Sequence, residues 1–181
     1  MKFKLNLLFS MSVLMLFFTA CIKDTDFDQA DDIVVTPIVE LDFLFFNLDS
    51  ENFTAVGVNN LIVSDTTNFN FLNDEFTTDN LIKAEFFFKH TNSFPVGITT
   101  EYIFLSDTNE PQYEVIIPIG AGSVVAPSLS EHTETIEGEA ILALTNSGKI
   151  IVNVIASSPV DNLEGELKLQ SKTTYYLRVE Q

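Results

Sequence analysis

From residue 33 onward, apolar and polar positions alternate along the chain with a period of two. The clearest stretch is 167–180. There Leu167, Leu169, Tyr175, Leu177 and Val179 share one phase, and Lys168, Gln170, Lys172, Arg178 and Glu180 the other. Successive side chains of a strand point to opposite faces, so this pattern predicts a strand with one face in a core and one in water. Ile82, Ala84, Phe86 and Phe88 alternate with Lys83, Glu85 and Lys89 in the same way. Further strands are predicted at 39–48, 98–105, 113–119 and 149–156. The breaks carry turn chemistry, at Asn92-Ser93-Phe94-Pro95, at 107–111 and at Pro159-Val160-Asp161-Asn162. One stretch departs from the pattern: 139–144 is rich in helix formers and is followed by the stop signal Asn146-Ser147-Gly148. The predicted fold is mainly β, an antiparallel β-sandwich with one short helix near 138–147.

Phenylalanine is unevenly spread. Of 17 in the chain, four lie in the first 18 residues and the other 13 all precede residue 105. Phe86 and Phe88 fall on the inward phase of their strand, and Phe43 and Phe45 share one phase of theirs. These read as core, since buried rings dominate core energetics. Phe46 and Phe87 fall on the opposite phase. They belong either to an exposed patch or to a second packed face; with Tyr176 they form the candidate ligand patch, a surface on which exposed rings would signal binding and a polar exterior would not. The segment 81–90, the Asn92–Pro95 turn and the segment 98–105 resemble the strand, Asn-x-x-Pro, strand unit of late-embryogenesis-abundant-type β-sandwiches. That resemblance covers about 25 residues. It implies an immunoglobulin/fibronectin-like sandwich and carries over no functional residue.

The first 21 residues follow a different logic. Lys2 and Lys4 precede an apolar run from Leu5 to Phe18, and Thr19-Ala20 leads to Cys21, the only cysteine. The run is 14 residues long and contains Asn6, Ser10 and Ser12, against the roughly 20 apolar residues that span a bilayer. It reads as a processing signal. The segment resembles the lipobox of bacterial lipoprotein precursors, with Phe18 where that family usually has Leu, Val or Ile. The resemblance implies cleavage between Ala20 and Cys21 and lipidation of Cys21. More than one acyl chain on that residue would give stable membrane anchoring. The organisation expected is a signal peptide over 1–20, a lipidated cysteine with an acidic disordered tether over 21–36, and one sandwich domain over 37–181. Lys23, Asp24 and Asp26 resemble the acidic export signal of surface lipoproteins in the Bacteroidota. A solvated spacer accounts for the same residues equally well.

Composition narrows the function classes. From Cys21 onward there are 26 acidic and 7 basic residues, a formal charge of −19. Such an excess argues against nucleic acid as a partner, because binding it requires clustered lysine and arginine. With Cys21 lipidated no internal disulfide is available, so stability must come from the core. Residue patterns for catalysis are sparse. His132-Thr133-Glu134 has the His-x-Glu spacing of zinc deaminases without their Pro-Cys-x-x-Cys partner. His90 closes the Phe-rich strand. No His-Glu-x-x-His, Gly-x-Ser-x-Gly or phosphate-binding glycine loop occurs. Asp74, Glu75 and Asp79, or Asp107 and Glu110, are loop carboxylates of the kind that hold Ca²⁺ and equally of the kind that simply face water. No cofactor and no metal site is expected. Asp65-Thr66-Thr67 resembles the O-glycosylation motif of Bacteroidota envelope proteins, with Thr66 the acceptor. The expectation is a non-enzymatic lipoprotein of the outer membrane and cell surface, held to lipid through Cys21 and in a binding or accessory role toward another envelope protein or a glycan. The alternatives are a glycan- or peptide-binding module of a nutrient-uptake system and a small hydrolase using carboxylates.

Overall fold

The computed structural model describes residues 34–54, 61–69, 71–72, 74–158 and 164–180. Ala20, Cys21, Lys23, Asp24 and Asp26 lie outside the described residues. In chain order the elements are β1 (Val34–Val35), β2 (Ile38–Asp49), α1 (Ser50–Thr54), β3 (Ile62–Asn68), α2 (Glu75–Asn80), β4 (Leu81–Asn92), β5 (Ile98–Leu105), β6 (Pro111–Ile119), β7 (Ser128–Glu137), α3 (Ala140–Thr145), β8 (Lys149–Ala156), β9 (Glu166–Leu177) and β10 (Val179–Glu180). The compact body is Val35–Val179. None of the described helices is long and apolar enough to cross a membrane.

Two four-stranded antiparallel sheets make up the body, in the orders β2-β9-β4-β7 and β3-β8-β5-β6. The expected β-sandwich is present, and its connectivity is that of a jelly roll, in which eight strands follow two Greek keys. This refines the immunoglobulin/fibronectin-like expectation, whose seven strands divide four and three. The Asn-x-x-Pro turn carries the chain from one sheet to the other, since β4 before it and β5 after it belong to different sheets. Asn92 makes that crossing possible. Its buried side chain donates to the carbonyls of Val96 and Gly120 and accepts from the Phe94 N–H, each at 2.9 Å. Gly122 lies against the same turn, where an added Cβ would come within 2.0 Å of the Asn92 carbonyl oxygen.

The core forms where the inward phases of the two sheets meet. Phe86 and Phe88 of β4, Tyr102 and Phe104 of β5, Ile150 of β8 and Leu167, Leu169 and Tyr175 of β9 are all buried. Phe43 of β2 packs among them, its ring 5.0 Å from Phe86 and 5.3 Å from Phe69. The predicted helix is α3, which buries Ile141 and Leu144 and packs against β4, β6 and β7. Ile82 does not share the inward phase of Ala84, Phe86 and Phe88 expected for it. Leu81 pairs with Leu177 and Lys83 with Tyr176, so Ile82 is an extra residue in a bulge and points to solvent.

Candidate binding face

The outer face of the β2-β9-β4-β7 sheet carries Phe45, Phe87 and Tyr176 together with four of the five lysines among the described residues. The most informative local feature is a bulge in β2. Asp42 pairs with Lys172 and Phe45 with Gln170, so Phe43 and Leu44 together oppose the single residue Ser171. The Ser171 hydroxyl fills the gap in the ladder, accepting from the Leu44 N–H and donating to the Leu44 carbonyl, both at 2.8 Å. Past the bulge the side-chain phase is reversed. Phe43 is in the core, Phe45 is 57% exposed on the outer face, and Phe46 packs inward against the core with Leu48.

The expected patch of Phe46, Phe87 and Tyr176 is corrected accordingly. Phe46 leaves it because the bulge turns it inward, and Phe45 takes its place. Phe87 is on the outer face as expected, in β4 and directly opposite Lys172 of β9. Tyr176 is on that face too, but its polar end and one ring face are engaged. Its hydroxyl donates to Glu85 at 2.9 Å, and the Lys83 ammonium lies 3.8 Å from the ring centroid. The hydrogen bond to Glu85, followed by partial burial, raises the phenol above its ordinary range. Glu85 in turn is held below the usual carboxylate range, first by Lys83 and then by Tyr176.

Phe45 and Phe87 are walls of one open groove of about 220 Å³, completed by Asp42, Lys89, Gln170, Ser171 and Lys172. They stand two strands apart, with β9 as the floor between them. Four of the seven basic residues after Cys21 lie on this face: Lys83, Lys89, Lys168 and Lys172. Each has a carboxylate beside it. Lys172 meets Glu40 at 2.7 Å, Lys83 meets Glu85 at 2.8 Å, Lys89 meets Glu131 at 3.6 Å, and Lys168 meets Glu166. Exposed pairs of this kind add little to stability, because water and salt screen them. Their larger effect is to offset the lysine charge on this face. Ser171→Ala tests whether the bulge sets the groove. Losing the hydroxyl leaves the Leu44 N–H and carbonyl without their partner and should cost about 1–3 kcal/mol, read as a lower urea midpoint. An unchanged midpoint would mean that the bulge holds without Ser171.

A second polar cluster sits on the interior side of β4, β5 and β7, with β6 alongside. His90 is fully buried, with Nε2 2.9 Å from the Tyr102 hydroxyl and 3.2 Å from that of Thr100. Burial, followed by the nearby charge of His132, pushes its pKa down to about 4. At the rim Tyr113 donates to Glu134 at 2.5 Å, and His132 Nε2 lies 3.1 Å from the other oxygen of Glu134. Burial, followed by the Glu134 hydrogen bond, raises Tyr113 to about 12. Both histidines flank Phe88, each ring centroid 6.5 Å from it. They are therefore near each other, but the His90 hydroxyl partners are both buried and out of reach of a substrate.

The remaining sequence candidates fall elsewhere. Thr66 is exposed on the edge strand β3, and its N–H donates to the Asp65 carboxylate at 2.8 Å. Asp65 and Thr67 line a separate cleft of about 170 Å³ between the sheets, walled by Leu44, Phe46 and Val154 among others. Asp74 caps α2, accepting from the Thr77 N–H at 3.1 Å and the Thr77 hydroxyl at 2.5 Å. The turn containing Asp107 and Glu110 already holds a cation: Lys149 Nζ donates to the Asp107 carbonyl at 3.4 Å and to the Asn109 side chain at 2.9 Å. Among the described residues no group of three or more His, Cys, Asp or Glu is placed to hold a metal ion. Of the seven groove residues only Phe87 is a candidate from the period-two pattern; Asp42, Phe45, Lys89, Gln170, Ser171 and Lys172 are not. A bulge leaves no mark in the sequence of its own strand, and Gln170 stands in a row of lysines that reads as plain solvated surface.

No family model matches the chain, and no curated protein matches it. Among solved structures it is similar to a "putative secreted protein" from Parabacteroides distasonis, at 17% identity and a TM-score of 0.43, over 63% of this chain and 37% of that one. It is also similar to the VP2 subviral particle of infectious bursal disease virus, at 8% identity and a TM-score of 0.41, over 83% of this chain and 34% of the other. Desmodium yellow mottle tymovirus matches at 12% identity and a TM-score of 0.31, over 81% and 91%. The chain thus spans little more than a third of the length of the first two.

Proposed function

We propose that this is a lipid-anchored protein of the bacterial envelope whose jelly-roll body is a non-enzymatic binding module, with its site on the outer face of the β2-β9-β4-β7 sheet. The observation that carries the reading is the groove between Phe45 and Phe87. Two rings project from the same face of the sheet on either side of its inner strand β9, bordered by Asp42, Lys89, Gln170 and Lys172. Exposed apolar surface costs free energy in water, and its concentration within a polar rim is the usual mark of a binding surface. A binding rather than catalytic role is supported by the commitments of both histidines, one sealed in the core and the other held by Glu134.

The anchor and the face are tested separately. Cys21→Ala is expected to leave the chain uncleaved or to move it from the membrane to the soluble fraction. Normal processing and unchanged membrane fractionation would sink the anchor. For the face, the full chain and a Phe45→Ala/Phe87→Ala double variant are passed over immobilised polysaccharides and peptides. Retention by the original chain that disappears in the double variant supports the site. Equal retention of both would place binding elsewhere.

A further inference from the structure

We infer that the Phe45–Phe87 groove binds a neutral saccharide, with a pyranose ring lying against the phenylalanines and its hydroxyls bonded to Asp42, Gln170, Lys89 and Lys172. The inference rests on the binding face proposed above and names the chemistry of its ligand.

The rim decides the class. A carboxylate only accepts hydrogen bonds, an ammonium only donates, and an amide does both. Asp42 stands directly opposite Lys172, and Gln170 opposite both Phe45 and Lys89, so acceptors and donors alternate over neighbouring positions of three strands. A sugar hydroxyl is both donor and acceptor, and adjacent hydroxyls on one ring can meet such an alternating set. A ligand of single charge cannot. An anion would be repelled by Asp42 and would find both lysines already paired with Glu131 and Glu40, and a cation would have the Asp42 carboxylate beside it but an ammonium group directly opposite. The protein as a whole, at −19 after Cys21, further repels polyanions before they reach the face.

The floor argues against a peptide strand. Extended peptides bind sheets by adding to an exposed edge, where backbone N–H and carbonyl groups lack partners. Here the floor is β9, hydrogen-bonded to β2 on one side and β4 on the other, so its backbone offers nothing to an added strand. What the groove does offer is ring surface, from Phe45 on β2 and Phe87 on β4. The apolar C–H face of a pyranose packs on a phenyl ring, while its equatorial hydroxyls extend sideways to the rim. At about 220 Å³ the groove falls below the roughly 300–1,000 Å³ of pockets that enclose small molecules, so it would grip one unit of a longer chain passing across the sheet.

Binding is measured by calorimetry or by amide chemical shifts on the full chain. The probes are neutral oligosaccharides of α-glucan, β-glucan, mannan and xylan type, a polygalacturonate, a sulfated glycan and a mixed peptide pool. The expected result is binding of at least one neutral oligosaccharide, little changed by added salt, and weakened at least about tenfold by Phe87→Ala and by Gln170→Ala. Both side chains lie on the outer face, and matched thermal melts would show that the variants remain folded. Binding only to the anionic glycans or to peptides, still lost in Phe87→Ala, overturns the ligand class and leaves the face standing. Binding of none of the probes, or binding indifferent to Phe87→Ala, overturns both.

Discussion

Phe86→Ala is expected to destabilise the protein by about 3–5 kcal/mol, the usual cost of deleting a fully buried aromatic ring and leaving a cavity behind. Phe86 has no exposed surface, and its ring sits where the two sheets meet. It lies 5.0 Å from Phe43, 5.3 Å from Phe104 and 6.3 Å from Tyr175, with edge-on geometry toward the last two. These neighbours come from three strands in both sheets, so no single side chain can move in to fill the space. Aromatic pairs of this geometry add about 0.5–1.5 kcal/mol beyond the area they bury. The control is the adjacent residue. Phe87→Ala acts on the outer face and should change stability by roughly 0.5 kcal/mol. Urea unfolding followed by circular dichroism reads both. Equal losses in the two variants would mean that the inward and outward phases of β4 are misassigned.

Acid is expected to weaken the fold through His90. An unfolded chain protonates histidine near 6.5, whereas the buried imidazole resists until about 4, because burial and the nearby His132 disfavour its charged form. Between those values the unfolded state binds more protons, so stability falls as pH is lowered, and the loss stops growing below about 4. The full difference is about 3 kcal/mol. Other groups respond to acid as well: Glu85 and Glu166, both held low by neighbouring lysines, lose their pairs on protonation. The His90 share is isolated with His90→Gln, which keeps a polar group toward Tyr102 and Thr100 but cannot titrate. Its stability should fall less steeply than that of the original chain between pH 6.5 and 4. If the two curves run parallel across that window, His90 does not carry the effect.

How much of this was legible from the residues depended on what surrounds each strand. β4, β5, β8 and β9 are interior strands or carry a fully apolar inner phase, and alternation alone places them. α3 was readable from Glu139–Leu144 and its Asn-Ser-Gly stop. β3 and β7 were missed for a physical reason: both are edge strands whose inner positions hold Asp65 and Thr67, or Ser128, Ser130, His132 and Glu134. Their backbones are fixed by β8 and β4, so strand formation there comes from tertiary pairing and leaves little pattern. The candidate site was half visible. Phe87 and Tyr176 followed from phase, while Phe45 and Phe46 exchanged roles because Ser171, more than a hundred residues away in sequence, closes a bulge that β2 alone does not announce.

The position of β9 has a consequence for how the molecule assembles. The last long strand in the chain is an inner member of its sheet, inserted between the first long strand, β2, and β4. A polypeptide emerging from its N-terminus therefore exhibits β2 and β4 with no template to join them until Glu166–Leu177 appears. Such long-range closure is slow, because distant segments must meet before their contacts repay the lost freedom. Until then two unsatisfied strand borders stand open to other chains. A protein truncated before Glu166 would thus lose the keystone of its sheet along with its tail, and it should survive in a cell only as a client of chaperones or proteases.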